Sequence, residues 1–418
     1  MERIVERCCG RDVGPKTVAA CVRVTAPNGG RQQIIRTFST MTEDLLALRD
    51  WLAAHEVTHV AMESTGVYWK AVYYVLEDAF TVLLVNAQHM RNVPGRKTDV
   101  SDCAWIAQLL EHGLLRGSFV PPAPIRELRD LTRYRKSQLQ ERVREVNRLH
   151  KVLEDAGVKL AVVASDVLGV SGRAMLEALL KGTTDPKLLA ELSRGKMRKK
   201  IPELRRALQG RFGSHHQFLV ARILAHLDYL DEAIEECGHQ IKELLRPFAE
   251  VVERLKTIPG VQQRTAEVIV SEIGVDMSRF PTAGHLASWS GMCPGNNESA
   301  GKRKSGKTRK GNKWLRMAMI EAGQAAARTT DTALSARHRR IMRHRGYQRA
   351  VVAVGHEILV IAHALIARGT TYQELGPGYF DRRHDERSSV AVFVPLNASA
   401  TRSLCRPCSR PLEPGAIF

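Results

Sequence analysis

Gly95-Arg-Lys-Thr-Asp-Val-Ser-Asp-Cys-Ala-Trp105 places two carboxylates, Asp99 and Asp102, three residues apart at the head of an apolar stretch. On a helix that spacing puts both on one face. An apolar helix rarely aims two acids at one point unless a cation lies between them. Taken alone, the pair has an equally good structural reading, with Asp99 as a helix cap and Asp102 as a first-turn acid favoured by the helix dipole. Two further acids weigh against that reading. Asp12 follows the strand-like stretch Ile4–Gly10, and Glu63 follows the strand-like stretch Val57–Met62. Four hard oxygen donors from two strand ends and one helix are what paired Mg²⁺ ions, or Mn²⁺ in their place, need to grip a phosphodiester.

Working outward, residues 1–120 read as α/β. Thr17–Thr25 and Gln32–Phe38 are strand-like and joined by Pro27-Asn-Gly-Gly30, a strong hairpin turn. Leu45–His55 reads as a helix, Gly66–Ala79 as an amphipathic helix, Thr81–Val85 as a buried strand and Asp99–His112 as a helix. Antiparallel strands followed by alternating strand and helix is the order of a ribonuclease H-like (RuvC-like) sheet. In that architecture the first strand and a central strand carry acids at adjacent positions, and a later helix brings the remaining acids over them.

The chain has 418 residues, with 63 Lys plus Arg against 44 Asp plus Glu and a net charge of +19. That excess suggests a polyanionic partner, nucleic acid first among them. Its distribution says more than its size. Lys302–Arg316 holds eight cations in fifteen residues, and Arg337–Arg349 is rich in Arg and His. No apolar run reaches the roughly 20 residues that span a bilayer, and the N-terminus has no signal-peptide core, so a cytoplasmic, nucleoid-associated prokaryotic protein with no membrane contact is expected. The eight cysteines are scattered, and only Cys405 and Cys408 form a C-x-x-C, which leaves reduced thiols and no structural zinc as the expectation.

Pro121-Pro-Ala-Pro124 marks a boundary, and residues 121–250 read as a helical coiled-coil middle. Ile223, Leu227, Leu230, Ile234, Cys237, Ile241, Leu244 and Phe248 alternate in steps of four and three. That spacing favours coiled-coil pairing between chains, giving a dimer or tetramer, over a helical hairpin within one chain. Residues 251–383 read as a mainly helical C-terminal domain. Leu255-Lys-Thr-Ile-Pro-Gly-Val261 followed by the helix Gln263–Ile273 has the form of a helix-hairpin-helix, whose Pro259-Gly260 turn offers backbone N–H groups to a phosphate. Met292–Gly311 reads as a loop, and Lys302, Arg303, Lys304, Lys307, Arg309, Lys310, Lys313 and Arg316 in and after it as nucleic-acid contacts. Residues 384–418 lack any period and are expected to be disordered.

Three stretches carry a family resemblance: Gly10-Arg-Asp-Val-Gly-Pro-Lys-Thr-Val18, Ala61-Met-Glu-Ser-Thr-Gly-Val-Tyr-Trp69 and Lys97-Thr-Asp-Val-Ser-Asp102. With Ile258-Pro-Gly-Val261, Ala287–Ser299 and Lys307–Arg316, they resemble the DEDD-motif insertion-sequence transposases over residues 8–383. The resemblance implies a DNA recombinase in which Asp12, Glu63, Asp99 and Asp102 hold the metal and Ser299, after the Pro-containing loop, is the nucleophile, with Ser305 a weaker candidate. It also implies a composite site built from two subunits, and a structured guide RNA made by the element and paired with the DNA. Two departures stand out. Arg11 replaces an apolar residue and, by strand alternation, points away from Asp12 toward a face that should be buried. Pro15 replaces a basic residue. Two other readings compete: a water-using Holliday-junction nuclease on the same sheet, and a non-catalytic basic DNA-binding coiled-coil protein.

Overall fold

A computed structural model describes residues 3–25, 30–64, 66–86, 102–295, 297–308 and 310–380, with backbone alone at 297–299 and 303–305. The described chain divides into two compact units, residues 1–120 and the remainder from Pro121.

The first unit is a mixed five-stranded sheet flanked by helices. β1 (Cys8–Val13), β2 (Thr17–Thr25) and β3 (Arg31–Ser39) form an antiparallel meander. After α1 (Thr42–Ala54), β4 (His59–Glu63) returns parallel to β1. After α2 (Trp69–Leu76), β5 (Thr81–Val85) adds parallel to β4, giving the order β3-β2-β1-β4-β5. This order is consistent with the expected ribonuclease H-like sheet. The hairpin turn at 27–29 lies outside the described residues.

Strand alternation divides the core in two. Cys9, Val13, Val18, Val60 and Met62 face α1 and α2, burying Leu45, Leu48, Leu52, Val72 and Leu76 against them. Cys8, Ala61 and Val85 face α3 (Asp102–Glu111), meeting Trp105, Ile106 and Leu109. Gly10 makes that second layer possible. A Cβ there would lie 2.1 Å from Ala107 N and 2.3 Å from Cys103 O, so α3 rests directly on the β1 backbone. Glu111, at the end of α3, is 1 % exposed. It is held by Arg23 at 2.8 Å, Arg31 at 3.1 Å and Arg3 at 3.5 Å, which ties α3 to the β2–β3 edge.

The second unit is mostly helical. The long α4 (Ala123–Asp155) is followed by short helices α5 (Leu160–Val163), α6 (Val170–Leu180), α7 (Pro186–Glu191) and α8 (Ile201–Ala207), then by α9 (Ser214–Leu244). The heptad stripe of α9 does not wait for another chain. α9 packs along α4, and Leu227, Leu230, Ile234, Cys237 and Ile241 are buried within this one chain. The expected intermolecular seam is therefore an intramolecular helical hairpin, closed because the breaks between α4 and α9 let the chain fold back on itself. Further toward its N-terminus α4 packs on α11 (Gln263–Ile273). One helix thus serves both sides of the boundary read at residue 250, and the two parts share one compact unit.

α10 (Ala249–Lys256) and α11 flank the Pro259-Gly260 turn, and α12 (Ala283–Trp289) follows. The stretch read as a loop contains a short hairpin, β6 (Asn297–Ser299) and β7 (Lys302–Ser305). Its two-residue turn, Ala300-Gly301, has positive φ at both positions (50° and 74°), the conformation that matches strand twist in tight hairpins. Polar strands of three and four residues leave no hydrophobic alternation to read, which is why the sequence hid them. α13 (Lys313–Ala326), α14 (Ala333–Arg345) and α15 (Tyr347–Arg368) complete the described fold. By length and composition α15 could cross a bilayer. Instead Val354, Ile358, Leu359, Ala362 and Leu365 are buried as it packs with α12, α13 and α14, and His363 Nε2 meets the Phe280 carbonyl at 2.8 Å.

Candidate active site

Asp12 lies within β1 and Glu63 is the last residue of β4. The parallel register pairs Gly10 with Ala61 and Arg11 with Met62, so Asp12 and Glu63 are the next positions on neighbouring strands. By alternation both lie on the sheet face that carries α3, and Asp102 is the first residue of α3. Burial raises the Asp12 carboxyl above its ordinary value, and the negative charge of Asp102 raises it further. The close approach at Gly10 is what brings the α3 start within reach of β1. Asp99 lies outside the described residues. Among the described residues, no group of three or more His, Cys, Asp or Glu converges tightly enough to hold a metal. The donor chemistry nonetheless fits a hard divalent cation: all are carboxylates, and two of them repel each other across the site.

Arg11 occupies the opposite face, as alternation requires. It is 0 % exposed, and none of its three guanidinium nitrogens has a hydrogen-bond partner by geometry. Burial lowers its proton affinity, and its neighbour on that face is the Cys9 thiol, which burial itself keeps protonated. Asp12 remains in the strand beside it, paired with Ala19 of β2. Pro15 sits in the β1–β2 turn, where Gly14 N donates to Thr17 O and the Pro15 carbonyl accepts from Thr40 Oγ1.

The remaining residues singled out by the sequence belong to the second unit. Ser299 closes β6 and pairs with Lys302 across the two-residue turn, and Glu298 pairs with Arg303. Arg303 and Lys304 lie on β7. Lys302, Lys307, Lys310 and Lys313 are exposed, and Arg309 lies outside the described residues. Arg316 is turned inward. Its Nη1 donates to Gly291 O and Thr308 Oγ1, both at 2.8 Å, and so pins the base of the hairpin loop. Gly260 has a packing reason of its own. With φ at 87°, a Cβ there would meet Ala322 O at 2.4 Å and Ala326 N at 2.7 Å, so the Pro259-Gly260 turn is pressed against α13.

The sequence reading missed a set of buried carboxylates in this unit. Glu272, 0 % exposed on α11, accepts from Arg133 Nε and Nη2 at 2.7 Å each, and from Asn312 Nδ2 at 2.6 Å. Glu267 accepts from Arg135 Nη2 at 2.5 Å and Gln263 Nε2 at 3.0 Å. The available signal was two acids, Glu267 and Glu272, inside the largely apolar Ala266–Ile273 run, opposite a helix carrying Arg129, Arg133 and Arg135.

Two stretches of the chain match known transposase families. A transposase family of the IS110 DEDD type matches residues 9–157, and the family described as "Transposase IS116/IS110/IS902 family" matches residues 252–339. The transposase for insertion sequence element IS1111A of Coxiella burnetii is 23% identical over 329 residues, 77% of this chain and 81% of that protein. The transposase for insertion sequence element IS1328 of Yersinia enterocolitica is 24% identical over 284 residues, 67% of this chain and 74% of that protein. An uncharacterized 43.6 kDa protein of insertion element IS110 of Streptomyces coelicolor is 29% identical over 163 residues, and the match spans 39% of its length. Matched over residues 9–157 and again over residues 252–339, the chain belongs to the IS110/IS116 family of transposases.

Proposed function

We infer that this chain cuts and rejoins the DNA of an insertion sequence, using a divalent cation held by acids and a serine nucleophile. The observation that carries this reading is the adjacent placement of Asp12 and Glu63 on β1 and β4, with Asp102 at the start of the helix packed over them. Asp12, Glu63, Asp102 and Asp99 would hold Mg²⁺ or Mn²⁺, which when bound offsets their repulsion and polarises a scissile phosphate. Ser299, at the tip of a cationic hairpin, is the nucleophile of this reading. Its oxygen forms a bond to phosphorus as the bond to one bridging deoxyribose oxygen breaks. The serine proton passes to solvent, and the departing oxygen takes one up. The number of phosphodiester bonds is unchanged, so strands rejoin without an added energy source. Lys302, Arg303 and Lys304 would offset charge on the pentavalent transition state.

The family resemblance further supports a structured guide RNA that selects the DNA by base pairing, and a dimer or tetramer in which acids and serine come from different subunits. Acting on DNA, the protein would work at the nucleoid. A water-using nuclease is the second reading, and it has no use for a serine on a basic hairpin.

Trapping a reaction in denaturant and mapping the DNA-linked peptide by mass spectrometry tests the serine. The adduct is expected at Ser299, and Ser299→Ala should lose both adduct and recombination while retaining DNA binding. Attachment at Ser305, or recombination with no adduct at all, overturns the assignment.

A further inference from the structure

A cleft of about 130 Å³ opens between α4, α11 and α13. Leu139, Val268 and the indole of Trp314 are among its apolar walls, and Arg133, Lys136 and Arg264 line it together with two carboxylates, Glu272 and Glu321, of which Glu321 takes Lys136 Nζ at 2.7 Å. Its volume is close to that of cavities, on the order of 150 Å³, that accept a single six-membered ring. A duplex or a folded peptide does not fit such a space. One flat ring does.

The wall that would meet that ring is held from below. Asn312 caps α13, its Oδ1 accepting from Trp314 N at 3.0 Å and Leu315 N at 3.1 Å. Asn312 Nδ2 in turn donates to the buried Glu272, which also holds the Arg133 side chain in a two-pronged ion pair. Trp314 is thus fixed at its backbone by a residue locked to the core, and its ring is attended by cations: Lys313 Nζ is 4.8 Å and Arg133 Cζ 5.9 Å from the ring centroid. An indole placed half-exposed among cations is poorly used as core packing and well suited to stacking a base, since every base offers a π-face. The buried carboxylate neutralises Arg133. Arg264, exposed on the first turn of α11, forms no ion pair among the described residues and is open to a phosphate.

We propose that this cleft holds one unstacked single-ring nucleobase, laid against Trp314, with its phosphate on Arg264. The proposal deepens the transposase reading, on which it rests for the class of partner. DNA and RNA both carry such a base, and the phosphate–sugar–pyrimidine chemistry is shared. A base drawn out of a strand at this point gives the enzyme a fixed register on its nucleic acid that backbone contacts alone do not supply.

The test uses the full chain and two short single-stranded probes, a DNA oligonucleotide with one 5-iodouracil and an RNA of the same sequence with one 5-iodouridine. Irradiation followed by peptide mapping should place the crosslink on Trp314 with one or both probes, and the labelling probe identifies the source strand. Trp314→Ala should weaken binding of that probe about tenfold, within the range for one stacked base. Leu139→Trp, which fills the cleft and leaves Trp314 in place, should weaken it similarly. Arg264→Gln should lower affinity and reduce its salt dependence by about one unit of slope. Crosslinks confined to other peptides, or affinity unchanged in Leu139→Trp, overturn the proposal. The transposase reading stands or falls separately, on whether the wild-type chain forms its serine adduct with duplex DNA.

Discussion

Asn312 Nδ2 lies 2.6 Å from Glu272 Oε2, joining the cap of α13 to a fully buried carboxylate on α11. The same carboxylate takes both prongs of Arg133, and Arg129 Nη2 donates to the Glu272 carbonyl at 2.6 Å. One acid therefore fixes three helices. Glu272→Ala would leave the partly exposed Arg133 guanidinium without its counter-charge and the Asn312 amide without its acceptor. The expected cost is about 1–3 kcal/mol, read as a lower urea midpoint, and the backbone amides of α13 should be the first to exchange with deuterium. An unchanged midpoint would show that water replaces the carboxylate at no cost.

Arg11 presents the opposite case, a buried cation with no oxygen acceptor. Burial of such a group opposes folding. Arg11→Val restores an apolar side chain on the α1–α2 face and should stabilise the first unit by at least about 1 kcal/mol. Urea unfolding monitored through Trp51 and Trp69, both packed against that core, measures it. A fall in stability would mean that the Arg11–Cys9 contact holds β1 in place.

Asp12 gives a pH and metal dependence of defined sign. Its folded-state carboxyl is raised by burial and then by Asp102. Between the unfolded and folded values the folded state binds the extra proton, so the stabilisation present at low pH is lost as pH rises through that window. At neutral pH without divalent cation, Asp12→Asn should therefore melt higher than the wild type. Added Mg²⁺ should raise the melting temperature of the wild type and leave that of Asp12→Asn nearly unchanged. Asp102→Asn should abolish strand cleavage while DNA affinity stays level or improves. Wild-type cleavage rates in Asp102→Asn would remove it from the metal site.

Leu230 and Ile241 are 1 % and 0 % exposed in the seam between α9 and α4. Replacing both with Asp should cost about 4 kcal/mol or more and unfold the helical hairpin, lowering far-ultraviolet ellipticity. Light scattering that shows intact, fully helical protein of lower mass would instead place the stripe between chains.

Local pattern was enough for much of the first unit. Short apolar runs and a hairpin turn located β2, β3, β4 and β5, two-residue alternation turned Arg11 to the buried face, and the order of elements set Asp12 and Glu63 on neighbouring strands beneath a later helix. Those features depend on patterns that the chain carries along its own length. The pairing of elements was a different matter. The four-three stripe of α9 specified an apolar helical partner, and only the folded chain decided that the partner was α4. Glu111 and Glu272 looked like ordinary helix acids, because their Arg partners lie far away in sequence and a charge pair has no period. The Ala300-Gly301 hairpin, too short and too polar to alternate, formed through its turn geometry. Sequence determined which faces had to be buried. Tertiary structure decided what covers them, since that choice rests on contacts between residues brought together only when the chain folds.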